Sequence, residues 1–359
     1  MSVVSDQPVD DSHLSRRRDL AVVVSGPRLP TSRGPLSATV LSALRQRPGS
    51  LGRTPPLAGV DGLGDDDLQL ALYCCYEFLH RLRDEIGPSP DDVRGDVAAS
   101  LMEMVTGASG PSLSTFLLEL GTLDQLREFC VHRSAYQLKE ADPHTFAIPR
   151  LSGDAKAAMV EIQSDEYGSG RAADMHSVLF AKTMTALGRD PMYSAYLDRL
   201  PGTTFATVNL ASMFGLHPRW RAALVGHLAV FEMTSVEPMG RYSAALARMG
   251  IGPEGRRFYD VHVAAVVRHG RIALERMVAG LIDTEPRLGA DVLFGAAAVL
   301  LVEKHFARDL LDAWATGRSS LLPHTPIDRA RISPTSYTGY GATRSHPTSS
   351  ARVVQGGAR

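Results

Sequence analysis

The sequence predicts an all-α protein, and three observations lead there. Between about residues 66 and 322, apolar residues recur at helical spacing, with prolines or glycines between the segments. No stretch of convincing length alternates polar and apolar residues, as a half-buried strand would. No internal repeat divides the region, so one helical domain is the economical architecture.

The first helix opens at Asp65-Asp66-Asp67, where acidic side chains favour a helix N-terminus, and runs to Gly87-Pro88. A second spans about Pro90 to Val105. A third covers Ser112 to Ala141 in one or two pieces, and Asp142-Pro143 stops it. The next runs from Gly153 to Leu187, with a weak spot at Gly168-Ser169-Gly170. Shorter helices are expected near 190–200 and 203–214. Then follow Pro218–Thr234, Pro238–Met249, Pro253–Ile282 and Pro286–Thr316, each entered through a proline. Residues 1–65 and 323–359 are rich in Pro, Gly, Ser and Arg, so both ends are expected to be largely disordered, with one short helix at Leu36–Gln46.

With 38 basic and 39 acidic residues, the net charge of −1 gives no electrostatic reason to propose nucleic acid or an anionic membrane as partner. No apolar run approaches the ~20 residues that span a bilayer. Ser15-Arg-Arg-Arg-Asp-Leu-Ala-Val-Val-Val has the look of a twin-arginine signal, but its apolar stretch ends at Ser25-Gly26-Pro27. Cys74, Cys75 and Cys130 are odd in number and two are adjacent, which fits neither a disulfide nor a metal framework. A reduced, cytoplasmic setting is expected.

His262 and His269 are the best lead to function. Seven residues are two helical turns, so both imidazoles leave one face, about 10 Å apart along the axis. Their neighbours are Val, Ala, Ile and Leu. Two buried imidazoles need two partners, which argues against a pair of bland core histidines. Glu232 sits in the apolar run Leu228-Ala-Val-Phe-Glu-Met, where an unpaired carboxylate is costly. Glu166 and His176 lie ten residues apart, and the glycines between them could bend the chain to unite them. Glu140 closes the third helix. His and carboxylate groups projecting inward from several helices are how an all-α protein builds a non-haem iron centre.

Other histidines compete less well. Glu77-Phe-Leu-His80 has the Glu-x-x-His spacing of ferritin-like helices, but Glu303-Lys-His305 does not supply the required second copy. His227 is expected to be structural or to support a ligand.

Three stretches carry a family resemblance. They are Arg133-Ser-Ala-Tyr-Gln-Leu-Lys-Glu140-Ala-Asp-Pro, Glu161-Ile-Gln-Ser-Asp-Glu166-Tyr-Gly-Ser-Gly and Gly226-His-Leu-Ala-Val-Phe-Glu232-Met-Thr-Ser. Together they resemble the iron-containing redox enzymes of the haem-oxygenase-like dimetal oxidase and oxygenase superfamily, over roughly residues 70–320. The resemblance implies a seven-helix haem-oxygenase-like bundle that binds Fe(II), one or two ions, and no haem. It implies O2 as co-substrate and an amine, amino acid or fatty acid as substrate, in specialised metabolism. Carried over, Glu140 and Glu166 would be the shared carboxylates. His176 and His269 would complete one iron, and Glu232 and His262 the other.

The sequence departs from the family at Val266, where the pattern His-x-x-x-Asp-x-x-His has an aspartate. Valine cannot ligate, and Asp260 points roughly the opposite way. The second iron is therefore expected to be weakly held, absent, or completed by water or substrate. Asp165 and Tyr167 are candidates to support the ligands, and Phe231, Met233 and Phe258 to line a substrate pocket. An external electron donor is required, since no flavin or nicotinamide motif is present. A homodimer is compatible with the sequence. The alternative is a catalytically impaired or non-catalytic relative that binds a small molecule or metal on the same fold. A metal-free hydrolase would need Cys130 as nucleophile, and no base stands beside it in sequence.

Overall fold

The computed structural model describes residues 78–87, 96–193 and 195–323, with backbone alone at 265–267. The expected tails, the twin-arginine segment, Cys74, Cys75 and Glu77 lie outside these residues. Among the described residues every regular element is helical, as the punctuation implied. After a helical segment over 78–86 come α1 (Val97–Thr106), α2 (Leu113–Glu119), α3 (Leu123–Gln137) and the one-turn α4 (Asp142–Thr145). Then follow α5 (Gly153–Glu166), α6 (His176–Ala186), α7 (Gly202–Leu216), α8 (Arg221–Thr234) and α9 (Val236–Arg248). The chain closes with α10 (Pro253–Ile272), a π-helical turn over Ala273–Val278, α11 (Ala279–Thr284) and α12 (Gly289–Ala315).

Local chemistry explains the boundaries. Asp96 caps α1 by accepting from the amides of Ala98 and Ala99. Thr122 and Gln125 form a reciprocal capping box at the start of α3. Pro253 sits in the first turn of α10, where its missing N–H costs nothing. Three expectations needed correction. Asp142-Pro143 opens a helical turn instead of ending one, because α3 stops at Gln137 and Ala141 reverses the chain with φ 76°. Among its described residues, the 190–200 segment contains only a 3-10 turn at Leu197–Arg199. The 153–187 helix is broken outright between Glu166 and His176.

The core forms two apolar clusters, and Phe231 of α8 packs against both. Helix α7 is buried around nearly its whole circumference, as a helix apolar on every side must be. Helices α8 and α12 cross backbone to backbone. A Cβ on Gly226 would overlap the carbonyl oxygen of Val292, and one on Gly295 would overlap that of Ala223. These paired glycines set the depth at which α8, and hence Glu232, sits. No helix among the described residues is long and apolar enough to cross a membrane.

Gly295→Ala is expected to lower unfolding free energy by about 1–3 kcal/mol or more, since backbone must move to admit the methyl group; urea denaturation reads this.

His132 is buried, and its ring nitrogens meet Thr204 Oγ1 at 2.7 Å and Ser320 Oγ at 3.0 Å. Burial, with the Arg133 and Arg199 charges, pushes its pKa down to about 3. The unfolded chain therefore takes up this proton first. The stability due to neutral His132 is full above about pH 6.5 and declines as pH falls towards 3. One such group costs about 2 kcal/mol by pH 5. His132→Gln is expected to remove one proton from the slope of stability against pH between 6.5 and 4.

Candidate metal centre

The break after α5 brings Glu166 and His176 together. Glu166 is the last residue of α5 and His176 the first of α6. Between them the chain turns through Gly168 (φ 66°), Ser169 (φ 50°) and Gly170 (φ 82°). Gly168 is required twice over, by its φ and because a Cβ there would lie 2.7 Å from the backbone of Asp174 and Met175. The result is a 2.8 Å approach of His176 Nδ1 to Glu166 Oε2.

The remaining four residues converge on this pair. Glu140 enters from the turn beyond α3, Glu232 from α8, and His262 and His269 from α10. Potential ligand atoms of Glu140, Glu166, His176 and His262 all lie within 4.8 Å of one another. Those of Glu166, Glu232 and His269 form a second group within the same 4.8 Å limit. All six residues singled out in the sequence therefore meet, but their pairing differs from the one carried over from the resemblance. His262 belongs with His176 and Glu140, its ring centroid 4.2 Å from that of His176. His269 belongs with Glu232, at 3.4 Å. Glu166 alone joins both groups. Val266 lies on α10 between the two histidines.

Hydrogen bonds fix which histidine nitrogens face the cluster. His262 Nδ1 donates to the carbonyl oxygen of Phe258 at 2.7 Å, which leaves Nε2 as a lone pair 3.7 Å from Glu140 Oε2. His269 Nε2 donates to Asp165 Oδ2 at 2.9 Å, which leaves Nδ1 inward. Asp165 also takes Arg268 and the Ser169 hydroxyl, so it is held firmly. Its expected supporting role fits this geometry. Tyr167 does something else: its hydroxyl donates to Asp142 at 3.0 Å and meets Thr145 at 2.9 Å, bracing α4. His227 bonds His144 at 3.0 Å, not a ligand.

The electrostatics are those of a site built for a cation. Burial, then the Glu166 and Glu232 charges, push the Glu140 carboxyl well up. Burial raises Glu232 too, with Glu166 adding to it. Burial also pushes Glu166 up, but His176, with His262 and His269 behind it, outweighs it and holds the group at about 2. His262 is pushed down to about 4 by burial and by His176. Burial opposes a charge on His269, yet Glu232, Asp165 and Glu166 raise it to about 9.

Orphaned atoms test the fit to a metal. Glu140 Oε2, Glu166 Oε2, His176 Nδ1 and His269 Nδ1 are buried without a hydrogen bond, although their neighbours are close. Lone pairs that crowd together at angles unsuited to hydrogen bonding suit a common positive centre. Mixed carboxylate and imidazole donors match iron or a similar first-row ion.

A cavity of about 230 Å³ opens beside the cluster. Glu140, Glu166, Glu232 and His262 form one wall; Phe231 and Tyr136 line it further along. Of the expected lining residues, Phe231 is present. Phe258 packs instead against His262 and His176, and Met233 against the core. Cys130 is fully buried, bonds Tyr259 at 3.7 Å, and burial pushes its thiol up to about 12, so it is no nucleophile. His80 lies on the surface near Asp84, and Glu303 and His305 pair with Arg133 and Glu85, far from ferritin-like roles.

An all-α bundle that gathers three glutamates and three histidines around a shared carboxylate has the donor set of a metal-dependent redox protein. Residues 127–304 match the family model described as iron-containing redox enzyme, and through this region, which holds all six residues, the chain belongs to that haem-oxygenase-like family. No curated protein matches the chain. The family assignment makes it an oxidoreductase in general terms.

Asp165→Ala should lower Fe(II) affinity about 10- to 100-fold, by removing the acceptor that orients the His269 ring while leaving every ligand residue unchanged. Competition with a chelating dye under anaerobic conditions measures it; unchanged affinity would mean that His269 needs no such support.

Proposed function

We propose that the protein is a non-haem iron oxidase or oxygenase that uses O2 on a small organic molecule. Iron would be held by Glu140, Glu166, His176, Glu232, His262 and His269 directly, with no haem. The observation that carries this reading is the meeting of six side chains in two groups that share Glu166. Iron bound there would supply reducing electrons and an open position for O2.

The chain's own residues account for the rest. The three carboxylates offer anionic charge to offset that of the metal, and Glu166 is placed to serve both groups. Asp165 sets the tautomer and angle of His269, and the Phe258 carbonyl oxygen does the same for His262. Tyr136 and Phe231, ring centroids 5.8 Å apart, put an aromatic wall along the cavity and limit water beside the cluster. The substrate would enter this cavity. An electron donor outside the chain would return the site to its reduced state.

The second group has three candidate ligand residues and the first has four. With an aliphatic side chain at Val266, the reading expects one ion held firmly and a second held weakly. Anaerobic Fe(II) titration, with iron counted per chain after loose metal is removed, tests this. One iron or fewer in the native chain and close to two in Val266→Asp are expected. No iron in either protein would overturn the reading and leave a helical small-molecule-binding protein.

A further inference from the structure

Beside its charged groups the cavity wall carries two neutral amides. Gln137 and Gln163 both line it, and both are more than nine-tenths buried. Gln137 Oε1 has no hydrogen-bond partner. Gln163 Oε1 takes the Thr145 hydroxyl at 2.8 Å, and its Nε2 has no partner. Each glutamine stands three residues before a cluster carboxylate: Gln137-Leu-Lys-Glu140 and Gln163-Ser-Asp-Glu166. A buried amide with an empty bond costs about 1–3 kcal/mol, so two of them beside one cavity call for a common cause.

The charged groups on the same wall are occupied. Glu140, Glu166, Glu232 and His262 belong to the cluster. Arg133 and Glu303 satisfy each other through two hydrogen bonds of 2.9 and 2.6 Å. Among the lining residues no further cation or anion remains to neutralise a charged head group.

We propose that Gln137 and Gln163 are specificity residues that hold the substrate by a neutral head group of the carboxamide type. A primary carboxamide carries both complementary functions. Its carbonyl oxygen accepts from Gln163 Nε2–H, and its N–H donates to Gln137 Oε1. A carboxylate has no proton for Gln137 as it stands, and an ammonium has no lone pair for Gln163. The head group thus differs from the carboxylates and ammonium groups of the substrate classes that the family resemblance implies. At about 230 Å³ the cavity has room on the order of eight waters, which confines the ligand to a small molecule. The identification of this cavity as the substrate's rests on the oxidase reading.

The test compares hexanamide, hexanoate and hexylamine by calorimetry, on the Fe(II)-loaded protein without O2 and on the metal-free protein. Hexanamide is expected to bind most tightly in both. Gln137→Leu should weaken hexanamide about tenfold. It should also leave the iron count unchanged and raise Tm, because it removes an unpartnered polar atom from a buried wall. A purely structural glutamine would instead lower Tm on replacement. Tighter binding of hexanoate or hexylamine, or unchanged hexanamide affinity in Gln137→Leu, overturns the proposal. The metal-free titration separates the two readings: amide binding without any iron uptake would sink the oxidase and spare the amide site.

Discussion

The structure turns on three carboxylates held together out of water. Glu166 lies within 4.8 Å of ligand atoms on both Glu140 and Glu232. Two unit charges at that distance repel by at least about 3 kcal/mol even at an effective dielectric of 20. Desolvation adds to this for each group. Without a metal the protein answers with protons. Glu140 and Glu232 are pushed towards their neutral forms, and His269 is pushed towards its charged one. A divalent cation would answer the same repulsion more fully, and would give the orphaned lone pairs a partner.

That cluster dictates much of the surrounding architecture. Carboxylates can be forced together only by elements that do not yield. Helix α8 carries Glu232 and is locked to α12 by glycines that bring the two backbones into contact. Helix α10 carries both cluster histidines and is anchored by Arg257 to Asp174 and by Arg268 to Asp165. The turn that places Glu166 against His176 is the more marked of two local irregularities at the cluster, the other being Ala141 beside Glu140. It uses three successive residues with positive φ, and such strain persists only where surrounding packing holds it.

The helical class was legible because proline and glycine punctuate almost every boundary, and because apolar periodicity never falls to two. The site was legible in composition but not in pairing. His262 and His269 announced themselves through spacing, and Glu232 through its apolar neighbours. Which histidine meets which glutamate depends on the rotation of α10 against α5 and α8, and no local pattern encodes a rotation. The Glu166–His176 contact was half legible: the glycines signalled a bend, whereas the chain makes a full break. Gln137, Gln163 and His144 were missed as cavity residues. A neutral amide carries no charge penalty that would mark it in a single sequence. The one available signal was the repeated Gln-x-x-Glu spacing, which has meaning only once both glutamates are known to face inward.

Under the proposed amide site, that spacing would also couple binding to chemistry. On α5, Gln163 and Glu166 are about 4.5 Å apart along the axis and lie on neighbouring parts of one face. A ligand bonded to Gln163 is therefore registered against the cluster by the helix itself, with no loop between. Gln137 ends α3, and Glu140 follows in the turn, so the second registration passes through Leu138 and Lys139, where the Glu140 amide donates to the Gln137 carbonyl oxygen at 3.4 Å. One contact is thus set within a helix and the other by a hydrogen-bonded turn. The helical contact would fix the distance between head group and cluster. The turn would fix the angle at which the rest of the molecule lies along Tyr136 and Phe231, where an apolar body loses water and gains contact. The choice of the carbon presented to the cluster then lies with the length of that body.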